Sequence, residues 1–190
     1  MLFRSIDNGA VHRHIGDAAA GLACIDSNHV LHKKMISNPA VLYRHYSPTP
    51  RLALGSNLLG IATSCMDISD GIAGDLPHIL RASQVSGVLD LDALPSSKGF
   101  NEACVNLSYE EKLELQLTGG DDYELLFTAN KRDTTKVLKA ARYAGLKVTP
   151  IGRIIRQRDM NMPYDTYLVF FRNGQPYPHK TGGYEHRFEA

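Results

Sequence analysis

One stretch restricts the fold of this chain more than any other. An apolar segment, Leu58 to Cys65, runs through the acidic turn Met66-Asp67-Ile68-Ser69-Asp70-Gly71 into residues with helical spacing. Ile72, Leu76, Ile79 and Leu80 fall at i, i+4, i+7 and i+8, one stripe of an amphipathic helix. A buried strand that feeds a helix through a polar turn belongs to a layered α/β architecture. In open sheets such strand-end turns are also where ligands sit. Asp67 and Asp70 are three apart around a hydroxyl, and Gly71 allows close backbone approach. Two readings of the turn stand side by side. Ser69 or Asp70 caps the helix, as these residue types commonly do. Alternatively the carboxylates are hard oxygen ligands for Mg²⁺, with helix-start amides available to a phosphate oxygen.

The rest of the pattern fits such a fold. Asp17 is suited to N-cap a helix through Ala18-Ala19-Ala20-Gly21-Leu22-Ala23, and Leu31 to Ile36 predicts a short helix. Gly87 to Leu91 and Leu125 to Thr128 predict strands. Asp133 opens a helix with Val137, Leu138, Ala141 and Ala144 inward and Gly145 as its C′ residue. Lys147 to Ile155 predicts a strand, and Leu168 to Tyr177 a hairpin turning at Asn173-Gly174. The expectation is an α/β (α+β) domain, a mixed sheet packed with helices. Residues 1–15 carry charges without apolar periodicity and predict a weak strand at most.

A second acidic turn, Thr118-Gly119-Gly120-Asp121-Asp122-Tyr123-Glu124, precedes the Leu125 strand. It reads either as a Gly-Gly turn with solvated acids or as a rim holding a cationic ligand or a second metal. The tail Thr181-Gly182-Gly183-Tyr184-Glu185-His186 places an aromatic beside glycines, either stacking on a flat ring or docking as a chain end. Walker A, GxSxG and HExxH patterns are absent, which removes several common mechanisms. Lys and Arg total 21 against 20 Asp and Glu, so the net charge of +1 argues against a nucleic-acid partner. No apolar run is long enough to span a membrane, and the start does not read as a signal peptide. Three scattered cysteines without a CxxC pair argue against a disulfide scaffold and for a reducing, cytoplasmic setting. Cys65, within the apolar run, is read as core.

In combination these segments resemble a known family. Gly16 to Leu22, Thr63 to Gly71 with Asp75-Leu76 and His78-Ile79-Leu80, Leu117 to Leu125, and Gly183-Tyr184-x-His186 occur in order. Asp90 to Pro95 fits between them. The chain resembles the C-terminal half of thiamine-monophosphate kinase, within the aminoimidazole ribonucleotide synthetase (PurM-like) superfamily. The resemblance implies transfer of the ATP γ-phosphate to thiamine phosphate, with Mg²⁺ and, as a further candidate, K⁺. It implies Mg²⁺ ligation by Asp67 and Asp70, and ATP contact by Ser69 and, at the altered N-terminal segment, Arg4. Glu124 and Tyr184 would contact the substrate. No side chain is assigned as an acid–base catalyst, because phosphoryl transfer relies on positioning and charge more than on a strong base.

The departures matter equally. Residues 16–190 match, residues 1–15 look shortened, and nothing matches the family's N-terminal domain with its further aspartates and dimer surface. Two expectations follow. The chain is inactive alone and completed by a separate N-terminal half or in a homodimer, or it is a non-catalytic remnant that binds thiamine phosphate weakly.

Overall fold

A computed structural model describes residues 7–12, 14–156 and 167–179, the first segment as backbone. Seven strands form one sheet: β1 (Asp7–His12), β2 (Ala62–Asp67), β3 (Val85–Asp90), β4 (Leu125–Asn130), β5 (Val148–Arg156), β6 (Leu168–Arg172) and β7 (Gln175–Tyr177). Their spatial order is β2-β4-β1-β5-β3-β6-β7, parallel only between β3 and β6. The expected mixed sheet is therefore present. The segment expected to be a weak strand supplies β1, which pairs with β4 on one side and β5 on the other.

Helices α1 (Asp17–Ile25), α2 (Pro39–Tyr46), α3 (Leu52–Asn57), α4 (Ile72–Ser83), α5 (Lys98–Ala103), α6 (Tyr109–Leu117) and α7 (Thr134–Tyr143) surround it. Leu126 packs with α4 and α6 residues, while Phe127 and Ala129 pack with α3 and α7. Because strand side chains alternate faces, β4 is covered by helices on both sides. A third cluster joins Ala20 of α1, Val41 of α2, Phe100 of α5 and Leu115 of α6. The four stripe residues of α4 are buried, with Leu80 at 0% exposure, and Leu80→Ala would cost about 2–5 kcal/mol.

Several local expectations are corrected. Asp17 lies in the first turn of α1, and Gly16, at φ 87°, occupies the N-cap. Leu31 to Ile36 contains only a 3₁₀ turn, His32–Lys34. The strand expected from Leu58 begins at Ala62, after Gly60 turns the chain, and forms a sheet edge, which leaves Cys65 exposed. In α7 Val137, Ala140 and Ala141 face inward, whereas Leu138 is 55% exposed. Asp133 sits at the N-cap position of α7 but pairs with Lys136 instead of capping. Gly145 does end that helix: its N–H bonds Arg142, and the Leu146 N–H bonds Ala141, a Schellman closure. Asn173 and Gly174, at φ 49° and 70°, turn the β6–β7 hairpin.

Candidate functional site

The two acidic turns lock together. Asp67 ends β2 opposite Leu125, and the pairing continues beyond both strands. Ile68 N–H donates to the Glu124 carbonyl, Tyr123 N–H to that of Ile68, and Asp121 N–H to that of Ser69, each at 2.9 Å. Asp121 and Tyr123 adopt φ values of 64° and 49°, uncommon for residues with side chains. The glycines explain the close fit. A Cβ on Gly120 would stand 2.2 Å from the Ser69 carbonyl oxygen, and one on Gly71 2.5 Å from that of Leu117. Either methyl would have to displace backbone.

Neither Ser69 nor Asp70 caps α4. Gly71 is its N-cap and makes no side-chain cap. Instead Asp75 reaches back from the first turn, and its Oδ2 accepts from the N–H of Ser69 at 2.9 Å and of Asp70 at 3.0 Å. Burial raises the Asp75 carboxyl above its usual range, and these two amides oppose that. With the amides of the turn held by Asp75, the side chains of Asp67 and Asp70 are left exposed. The Asp121 carboxylate is the main cause of a raised Tyr123 hydroxyl, with Asp67 and Asp70 adding to it. The acids thus gather around one phenol.

The other two acids of the second turn point inward. Asp122 accepts from Gly16 N–H at 2.5 Å and Ala18 N–H at 3.0 Å, so it caps α1 from 104 residues away. Burial pushes it up to about 7, against the pull of those amides, with Asp17 and Glu124 adding to the rise. Asp17, raised by burial, takes a bond from Ser97 at 2.7 Å. Glu124, 1% exposed, receives two arginines. Arg51 Nε bonds its Oε2 at 2.9 Å, and Arg51 Nη2 and Arg44 Nη2 both reach Oε1 at 2.6 Å.

Beside these turns opens a cleft of about 600 Å³, lined by Pro50, Arg51, Leu52, Leu59, Asp67, Tyr123 and Leu125 among others. It brings Asp67 and Arg51 to one cavity. Ser69 and Asp70 adjoin it through the turn, while Arg4 and Tyr184 lie outside the described residues. Asp75, Asp122, Arg44 and Arg51 were not singled out as site residues from the sequence. Asp75 and Asp122 were named only within the matching segments, and Arg44 and Arg51 left no signal there. Among the described residues no group of three or more His, Cys, Asp or Glu is placed to hold a metal. Asp67 and Asp70 nevertheless fit Mg²⁺ in kind, as exposed oxygen donors, and this ion commonly takes one or two carboxylates and completes its shell with phosphate and water.

Residues 16–165 match the family model for AIR synthase related protein, C-terminal domain, and the chain belongs to that family. Within it, the similarity is to the C-terminal half of thiamine-monophosphate kinase. The Escherichia coli (strain K12) thiamine-monophosphate kinase is 33% identical over 171 residues, 90% of this chain and 49% of that protein. The crystal structure of thiamine-monophosphate kinase from Stenotrophomonas maltophilia K279a superposes with a TM-score of 0.68 at 29% identity, covering 90% of this chain and 51% of that one. AaThiL complexed with AMPPCP and TMP gives 0.68 at 28% identity, covering 93% and 50%. The chain spans about half the length of the curated relatives it matches. No helix among the described residues is long and apolar enough to cross a membrane.

Proposed function

We propose that this chain carries the C-terminal half-site of an ATP-dependent kinase that converts thiamine phosphate to thiamine diphosphate. The observation that carries the reading is the interlocked pair of turns. They leave Asp67 and Asp70 exposed and fix the intervening backbone through Asp75 and Gly120. The kinase reading is supported by the similarity to thiamine-monophosphate kinases and to AaThiL complexed with AMPPCP and TMP.

In the reaction an oxygen of the thiamine phosphate attacks the γ-phosphorus of ATP, and the bond from that phosphorus to the bridging oxygen of ADP breaks. Such chemistry gains most from in-line positioning and charge neutralisation. Asp67 and Asp70 would hold Mg²⁺, which when bound would offset charge on the transferring phosphates. Ser69 would contact ATP. Arg4 and Tyr184 belong to the same reading, as contacts to ATP and to the thiamine rings, and K⁺ is a further candidate ion. Two carboxylates are fewer than a kinase cage needs, so the site is completed by an N-terminal half, supplied separately or within a homodimer, in the cytoplasm.

The small donor set among the described residues also favours a second reading, a domain that binds thiamine phosphate without transfer. One experiment separates the two. The 190-residue chain is assayed with ATP, Mg²⁺ and thiamine phosphate, alone and mixed with the N-terminal half of the Escherichia coli relative. Thiamine diphosphate formed only in the mixture, and lost with Asp67→Asn, supports the kinase. No product under either condition supports the binding domain, and ordinary turnover by the chain alone refutes the need for a second half.

A further inference from the structure

The charge around Glu124 runs against a simple picture in which this acid attracts a cationic ring. Its carboxylate is 1% exposed and carries bonds from two guanidinium groups. Arg51 grips it through Nε and Nη2 together, the fork geometry that favours planar carboxylate partners, and Arg44 adds a second cation at the same Oε1. Arg44 is further tied down by the Asp122 carbonyl at 3.2 Å. Asp17 also faces Arg44 and Glu124 electrostatically, so Arg44 is shared between two acids while Arg51 is held by Glu124. Arg51 is only 8% exposed, so any guanidinium N–H that Glu124 leaves unused is poorly hydrated and favours an anionic partner.

Of the two arginines, Arg51 lines the cleft. No hydrogen bond from its Nη1 is seen among the described residues, and the cleft around it is lined by Pro50, Leu52, Leu59, Tyr123 and Leu125, with Asp67 as a further charged group. We infer that Arg51, oriented by Glu124, binds the phosphate group of a small phosphate ester whose flat, apolar part lies along that wall. Identifying the ester as thiamine phosphate rests on the kinase reading; selection of an anion by Arg51 does not. Glu124 then serves the substrate indirectly, as a positioning residue that holds the guanidinium fork.

Titration calorimetry of the 190-residue chain, without ATP or Mg²⁺, tests this with thiamine phosphate, thiamine and inorganic phosphate. Thiamine phosphate is expected to bind about tenfold or more tightly than thiamine, as one charge-assisted hydrogen bond allows, and to weaken with added salt. Inorganic phosphate should compete. Arg51→Gln should remove that preference, Arg51→Lys should retain part of it, and Glu124→Gln, which loosens the guanidinium fork, should weaken thiamine phosphate binding more than thiamine binding. Thiamine binding as tightly as its phosphate, or an unchanged preference in folded Arg51→Gln, overturns the inference. If Arg51→Gln fails to fold, the wild-type comparison of the two ligands decides alone. The outcomes separate from those of the transfer assay. Phosphate-selective binding without transfer removes the kinase and leaves Arg51 in place, whereas transfer undiminished by Arg51→Gln removes Arg51 and leaves the kinase.

Discussion

Gly120 and Ser69 meet backbone to backbone, with room for a hydrogen but not for a methyl: a Cβ would come within 2.2 Å of the Ser69 carbonyl oxygen. Gly120→Ala is therefore expected to destabilise the fold by about 1–3 kcal/mol, read as a lower urea midpoint. Gly55→Ala makes the contrast. It lies in α3 with its nearest neighbour at 3.7 Å, and should be neutral or stabilising by up to about 1 kcal/mol.

Asp75→Ala should damage both stability and ligand binding. It leaves the Ser69 and Asp70 amides without their acceptor, at a cost of about 1–3 kcal/mol. The turn bearing Asp67 and Asp70 would then relax, and nucleotide affinity in the presence of Mg²⁺ should fall, measured by titration calorimetry.

Asp67→Asn and Asp70→Asn should behave differently from Asp75→Ala. Both side chains are exposed, so thermal unfolding should stay close to wild type while Mg²⁺-dependent nucleotide binding is lost. Equal loss of stability in these variants would place the two acids in the framework of the turn instead of its chemistry.

Asp122 gives the fold a pH dependence of definite sign. Its folded-state value is raised from 3.8 to about 7, mainly by burial, so the unfolded chain releases the proton first. The stabilisation is complete below about pH 4 and lost progressively as pH rises through 7. Urea midpoints should accordingly be lower at pH 8 than at pH 5 on account of this group. Asp122→Asn should be less stable throughout, since an amide cannot accept from both Gly16 and Ala18 in the same way, but should show a shallower slope. Asp17 and Asp75, also raised by burial, keep a residual slope of the same sign.

What could be read from the sequence was whatever local chemistry decides. The α4 stripe was legible because helical spacing alone puts Ile72, Leu76, Ile79 and Leu80 on one side. The Asn173-Gly174 turn and the Gly145 stop were legible because both rest on positive φ. Leu138 was misplaced because it lies about a quarter turn from the axis of the face that Val137 and Ala141 define. Cys65 was misread as core because an edge strand cannot be told from a central one without knowing what pairs beside it. Within the second turn the sequence shows three similar acids in a row of seven residues. Tertiary partners alone separate them, leaving Asp121 exposed, Asp122 on α1 and Glu124 on two arginines 73 and 80 positions away. No periodicity encodes a pairing over that distance.

The position of β1 has a consequence for the order in which the molecule can assemble. Residues 7–12 lie between β4 and β5, so the β2–β4 pair and the β5-β3-β6-β7 group share no ladder except through this strand. Its first neighbour ends at Asn130 and its second only at Arg156. Loop closure over more than a hundred residues must precede either pairing, which makes for slow, late-committing folding. On the ribosome, residues 7–12 could pair with β4 once Asn130 had emerged, and would keep their other edge open until β5 followed.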